Sequence, residues 1–295
     1  MISILIPTYN YNVYPLVREI HKQAVKTQIP FEVLVYDDAS DKDYDLKALL
    51  GELNGVTYKK YEQNLGRLPM LKELVHDAKY DILLTMDADV FPKDRFFFAK
   101  LIKEIEHVDA DLYYGGTSVS PNPPEKDKLL RWKFGKERES PSLIYRKEHP
   151  YDTIVCQSTL VKKQVFLPLL DKLMIAKDYY GLDVFYSYLL KKEGQKIHHF
   201  DNKVTHLGID NNASFLKKSK QAVETYHFLY QNKLVDKNHI KLVRFAEKYA
   251  PFGLCFLMKI MHKLLGKNIY NLVSSKASLF WLDIYKLMYY CSIRK

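Results

Sequence analysis

The sequence predicts an α/β protein with a mostly parallel central sheet flanked by helices and a helical C-terminal extension. Two observations carry this prediction. Short apolar runs at residues 2–6, 31–36 and 82–86 each end in polar side chains, as strands buried on both faces of a parallel sheet do. Between them, apolar residues recur at helical spacing, so strand and helix alternate as in right-handed βαβ connections.

The elements follow in order. Residues 2–6 form a first strand ending in Pro7-Thr8-Tyr9-Asn10. Leu16, Ile20 and Val25 mark a crossover helix, and Pro15 suits its first turn. A second strand at 31–36 ends in Asp37-Asp38. A short helix at 45–53, a strand at 56–61 and a helix at 71–78 precede the strand at 81–86, which runs into Asp87-Ala88-Asp89. A helix at 95–107 and a strand at 111–114 continue the alternation. Residues 116–150 break it with five prolines and many charges, which predicts a long loop serving as a lid or acceptor-side element. Helices at 163–172 and 182–192 and a strand at 196–200 complete a catalytic domain expected to span 1–213, its binding half at 1–115 and its acceptor-side half at 116–213. From 214 to 295 the chain reads as a basic helical extension.

Charge separates the two parts. The chain of 295 residues carries a net +10, yet residues 216–295 hold 15 Lys or Arg against 4 Asp or Glu, so the front is near neutral and the tail is basic. The tail has no nucleic-acid module signature, which argues against nucleic acid as a partner. Cys156, Cys255 and Cys291 are scattered and form no C-x-x-C pair, so no zinc site or disulfide framework is expected. The first strand begins at Ile2 with no charged leader, and charges interrupt each apolar stretch of the tail. A cytoplasmic protein without a spanning helix is the expectation.

The acidic pair Asp87 and Asp89 is the sharpest chemical feature. On a strand the two would share one side while Ala88 faces the other. Carboxylates converging in this way repel each other, and a hard cation such as Mg2+ or Mn2+, shared with phosphate oxygens, relieves the repulsion. A polar turn is the competing reading, because Pro92 follows closely. In an open α/β sheet, ligands bind at the carboxyl ends of the strands, so Thr8, Asp38 and Asp87 should share one crevice.

The series Ile4-Leu5-Ile6-Pro7-Thr8-Tyr9-Asn10, Val35-Tyr36-Asp37-Asp38-Ala39-Ser40, Asn64-Leu65-Gly66-Arg67 and Met86-Asp87-Ala88-Asp89 resembles, in order and spacing, the nucleotide-binding half of the family 2 glycosyltransferases with the Rossmann-like GT-A fold. The likeness extends through Tyr180-Gly181-Leu182-Asp183 to His206. It implies an inverting transfer of sugar from a nucleotide diphosphate sugar, UDP-linked by expectation, to a glycan or lipid-linked acceptor. It implies, too, that Asp38 receives the base N–H, that Pro7, Thr8 and Tyr9 line the base pocket, that Arg67 contacts the diphosphate, and that Asp87 lies near ribose and metal. Asp89 and His206 would hold Mn2+ or Mg2+, and Asp183 would be the general base, with Asp178 as second candidate. Leu182 stands where the family has Glu. That departure keeps open a catalytically idle sugar-nucleotide binder, and a sugar nucleotidyltransferase is the weaker alternative.

In the tail, Lys259, His262, Lys263 and Gly266 are expected on one stripe, with Leu254, Leu257, Met261, Leu264 and Leu265 on the other. Phe280, Trp281, Tyr285, Tyr289 and Tyr290 resemble an interfacial aromatic set. Such a tail would lie on an anionic membrane surface, cap the core, or pair with a second copy of the chain as a homodimer.

Overall fold

The computed structural model describes residues 1–152, 154–174 and 180–294. Asp178 lies outside the described residues. The chain divides into two compact units, one of Met1–Ser120, Glu139–Asp178 and Leu190–Gly208, the other of Pro121–Arg138, Tyr179–Leu189 and Ile209–Lys295. The helical unit therefore draws in 121–138 and 179–189, where the sequence suggested a single boundary at 213.

In the first unit, β1 (Ile2–Thr8), α1 (Tyr14–Lys26), β2 (Phe31–Asp37), α2 (Leu46–Gly51), β3 (Val56–Lys60), α3 (Arg67–Asp77) and β4 (Ile82–Met86) follow the predicted alternation. Then come β5 (Val90–Pro92), α4 (Phe97–His107), β6 (Leu112–Tyr114) and β7 (Thr117–Ser118). Residues 116–150 are not a bare loop: they contain α5 (Leu129–Phe134), which belongs to the second unit, and α6 (Leu143–Glu148). β8 (Ser158–Lys162), which the sequence reading missed, precedes α7 (Lys163–Leu173) and α8 (Asp183–Lys192), the latter belonging to the second unit as far as Leu189, and β9 (Ile197–His199) and β10 (Val204–His206) follow.

Seven strands form the main sheet in the order β3-β2-β1-β4-β8-β6-β9. Every pairing is parallel except those of β8, which runs antiparallel to both β4 and β6. Ile4, Ile6, Val33, Val35 and Leu84 are buried and join Leu16, Val17 and Ile20 of α1 in one core, as doubly covered strands require. A second sheet of β5, β10 and β7 pairs His206 with Val90 and Thr205 with Phe91. β10 thereby carries a residue distant in sequence to the turn after β4.

Arg146 ties this unit together. Its side chain is buried, with Nη1 donating to the Tyr114 carbonyl at 2.9 Å and Nη2 to the Phe200 carbonyl at 2.9 Å.

The second unit is helical, with α9 (Asn212–Gln231), α10 (Lys241–Tyr249), α11 (Leu254–Lys276) and α12 (Leu279–Ile293). Asn212 is its hub: Oδ1 accepts from the Leu130 amide at 2.9 Å, and Nδ2 donates to the carbonyls of Lys126 (3.1 Å) and Ser274 (2.8 Å). Leu130, Phe215, Leu216, Val273, Leu282 and Met288 fill the core.

The tail packs differently from the expectation in two respects. Tyr285, Tyr289 and Tyr290 are buried rather than interfacial, because α12 packs against α9, α10 and α11. The Tyr289 hydroxyl donates to Glu224 and that of Tyr290 to Glu247. On α11 the buried face is Cys255, Gly266, Ile269 and Val273, leaving Leu257, Leu264 and Leu265 exposed beside the lysines. Cys255 and Cys291, far apart in sequence, meet with sulfurs 3.0 Å apart as buried thiols.

Candidate active site

The segments at the carboxyl ends of β1, β2 and β4, with the β3–α3 loop and the start of α3, build one cleft of about 400 Å3, lined by Pro7, Thr8, Tyr9, Asp38, Arg67 and Asp87 together with Asn64, Gly66, Met70 and Ala88. The six sequence-predicted donor-side residues are thus brought together at the edge of the sheet where an α/β fold places its ligands.

The loops are held by their own polar side chains. Asp38 is buried, and its carboxylate accepts from the Leu65 amide (2.6 Å) and the Gly66 amide (2.9 Å). Asn64 Nδ2 donates to the Asp38 carbonyl at 3.0 Å. Asp38 is therefore first a clamp on the loop that starts α3. Gly66 takes φ 90° there, a left-handed conformation that costs a glycine little. Asp37 is a turn carboxylate, with Oδ1 accepting from the Ser40 amide (2.8 Å) and Oδ2 from the Tyr58 hydroxyl (2.9 Å). Asn10 stitches the first loop to the second, accepting from the amides of Asp41 (3.0 Å) and Lys42 (3.1 Å). Thr8 is buried, whereas Tyr9 is half exposed at the mouth of the cleft.

Residues 87–89 do not continue the strand. The Val90 amide donates to the Asp87 carbonyl at 3.4 Å and closes a turn between β4 and β5. Strand alternation does not apply to the pair, and each carboxylate has a partner of its own. Asp87 Oδ1 accepts from Arg67 Nη2 at 2.8 Å and Nε at 3.2 Å, and the same Nη2 donates to the Cys156 carbonyl at 2.7 Å. Asp89 Oδ2 lies 3.1 Å from His206 Nε2. Gly208 backs this carboxylate so closely that a Cβ there would overlap Asp89 Oδ2. Tyr11 faces the same region; burial, with the Asp89 charge second, pushes its hydroxyl pKa up.

No group of three or more metal-binding side chains occurs among the described residues. The donor set present is one carboxylate and one imidazole, Asp89 and His206. Those residue types fit a hard cation that keeps waters and completes its shell with substrate phosphate oxygens.

Asp183 belongs to the second unit, in the first turn of α8, and Leu182 before it is buried, its carbonyl accepting from the Tyr186 amide at 2.9 Å. The sequence reading missed Gly208 and Gln157. The Gln157 carbonyl accepts from the Asp87 amide at 2.9 Å, and its Oε1 accepts from Thr117 Oγ1 at 2.8 Å. A glycine two residues past a histidine was visible in the sequence; the approach of residue 157 to residue 87 depends on the unseen strand β8.

The family model for glycosyl transferase family 2 matches residues 3–167. No curated protein matches the chain. Among solved structures, the mannosyltransferase PcManGT from Pyrobaculum calidifontis, in complex with GDP-Man and Mn2+, is similar with a TM-score of 0.56 at 16% identity, over 99% of this chain and 86% of that one. TarS residues 1–349 from S. aureus, in complex with UDP-GlcNAc, is similar with a TM-score of 0.50 at 16% identity, over 97% of this chain and 90% of that one. At such identity the likeness speaks for the GT-A fold, while the family match covers the strands and loops that form the cleft. The chain belongs to the family 2 glycosyltransferases.

Proposed function

We propose that this glycosyltransferase transfers a sugar with inversion from a UDP-linked donor to a hydroxyl of a glycan or lipid-linked acceptor. The observation that carries the donor half is the single cleft in which Thr8, Asp38, Arg67 and Asp87 meet at the sheet edge. A carboxylate has about four lone-pair sites, so Asp38, with two spent on backbone amides, keeps capacity for the base N–H. Its anchoring supports selectivity, since a base without a matching donor would leave a buried acceptor unpaired at a cost of ~1–3 kcal/mol. Arg67 orients Asp87 and brings positive charge to the diphosphate side of the cleft.

Asp89 and His206 are the proposed holders of Mn2+ or Mg2+, and Gly208 leaves room for that carboxylate. The chemistry such a cation supplies is neutralisation of charge on the departing diphosphate. Asp183 is the proposed base: it takes the acceptor hydroxyl proton as that oxygen bonds to the anomeric carbon and the diphosphate leaves from the opposite face. Its support is its place in the Gly181-Leu182-Asp183 series at the start of α8.

Screening UDP- and GDP-linked sugars for thermal stabilisation with Mn2+ tests this reading. Stabilisation by UDP-linked sugars above all others is expected. A preference for GDP-linked sugars would overturn the base assignment, and no response to any nucleotide sugar would overturn the proposed donor cleft.

A further inference from the structure

α11 buries one face in the helical unit and leaves a long apolar stripe in water. Phe252, just before the helix, and Phe256, Ile260 and Leu264 recur every fourth residue and so climb one side of it. With Leu257 and Leu265 they are between 41% and 83% exposed. Lys259, Lys263 and Lys267 repeat with the same period and are exposed among them. α10, which packs on α11, adds exposed Phe245 and Tyr249 with ring centroids 4.8 Å apart, flanked by exposed Arg244 and Lys248. The one acidic residue in the sequence from 241 to 267 is Glu247, which is held by Arg294 at 2.9 Å.

A patch of large apolar side chains this dense marks an interaction surface. Its charge decides the partner. Lysine is depleted in protein–protein interface cores, where here it alternates with the apolar residues. A symmetric contact with a second copy would press the same cations together. An anionic lipid surface meets both demands, taking apolar side chains at the boundary of headgroups and acyl chains while lysine stems reach the phosphates. No helix among the described residues is long and apolar enough to cross a membrane, so α11 would lie along the surface.

We infer that the Phe252–Leu265 stripe of α11, with the neighbouring end of α10, docks on an anionic lipid bilayer. This does not depend on the donor or on the assignment of Asp183. Cosedimentation of the full chain with phosphatidylcholine vesicles, with and without phosphatidylglycerol, is the test. The full chain should pellet with the anionic vesicles at low salt and be released at high salt. Each cation at such a surface contributes about fivefold to partitioning, so replacing Lys259, Lys263 and Lys267 by Gln should lower it about a hundredfold. Phe256→Ser with Leu264→Ser should lower it as well. All five side chains are exposed, and unchanged circular dichroism melts would show that the variants fold. Wild-type protein left in the supernatant with anionic vesicles at low salt would overturn the inference. So would variants that fold and pellet like wild type, or a dimer broken by Phe256→Ser in a protein that ignores vesicles.

Discussion

Asp89 and His206, separated by more than a hundred residues, meet Oδ2 to Nε2 at 3.1 Å where β5 begins and β10 ends. Gly208 closes the third side, leaving no volume for a side chain behind the carboxylate. The pair therefore depends on a short antiparallel ladder and on the absence of one Cβ.

Gly208→Ala should push the Asp89 carboxylate away from His206 without opening the core. Metal-dependent affinity for UDP is expected to fall ~10–100-fold, the usual effect of disturbing a group that orients a ligand. Calorimetric titration beside a thermal melt checks this, and affinity equal to wild type would show that the carboxylate position is not critical.

Asp38→Asn keeps one acceptor oxygen and replaces the other with a donor that faces the Leu65 or Gly66 amide. A stability loss of ~1–3 kcal/mol is expected from the clash of buried donors. Urea denaturation measures it. UDP binding should weaken too, since the loop leading into α3 lines the cleft.

How much of this was legible in sequence depends on chain distance. β1, β2 and β4 read as strands because each is a continuous apolar run, and Thr8, Asp38 and Asp87 followed as residues at strand ends. β8, Ser-Thr-Leu-Val-Lys, was missed: it is short, half polar, and next to a proline-rich segment, and its strand state comes from pairing with β4 and β6. β5 and β10 have three residues each and exist through one another. The two amides on Asp38 and the turn at 87–89 are likewise products of loops meeting in space. Tyr285, Tyr289 and Tyr290 looked interfacial because α12 is apolar almost all round, which marks a buried helix as well as a membrane-facing one.

Asp183→Asn should preserve donor binding and reduce turnover ~10²–10⁴-fold, the range of a general base. Steady-state turnover with the best donor from the nucleotide-sugar screen, compared with UDP affinity, separates the two effects. Full activity in the variant would remove Asp183 from the chemistry.

His199 supplies a pH dependence of stability. Burial, then Arg146, His198 and Lys147, hold its pKa down to about 4 against a donation to the Pro150 carbonyl that favours the charged ring. As pH falls below about 6.5, the unfolded imidazole takes a proton that the folded one refuses until about 4. Stability from this site is therefore complete above that window and lost across it, on the order of 2 kcal/mol after allowance for partial solvent screening. Urea midpoints of wild type and His199→Gln between pH 4 and 7 check the sign: the wild-type curve should fall more steeply on acidification.

Titration of UDP into wild type and Asp89→Ala, each with and without Mn2+, tests most directly the proposed metal-assisted nucleotide cleft at the carboxyl edge of the sheet. Asp89 is a partly exposed residue of the β4–β5 turn, so the variant should melt near wild type. Wild type should bind UDP with Mn2+ and much more weakly without it, and the variant should lose the Mn2+-dependent part. Equal affinity in wild type and variant, or wild-type binding indifferent to Mn2+, would contradict the account.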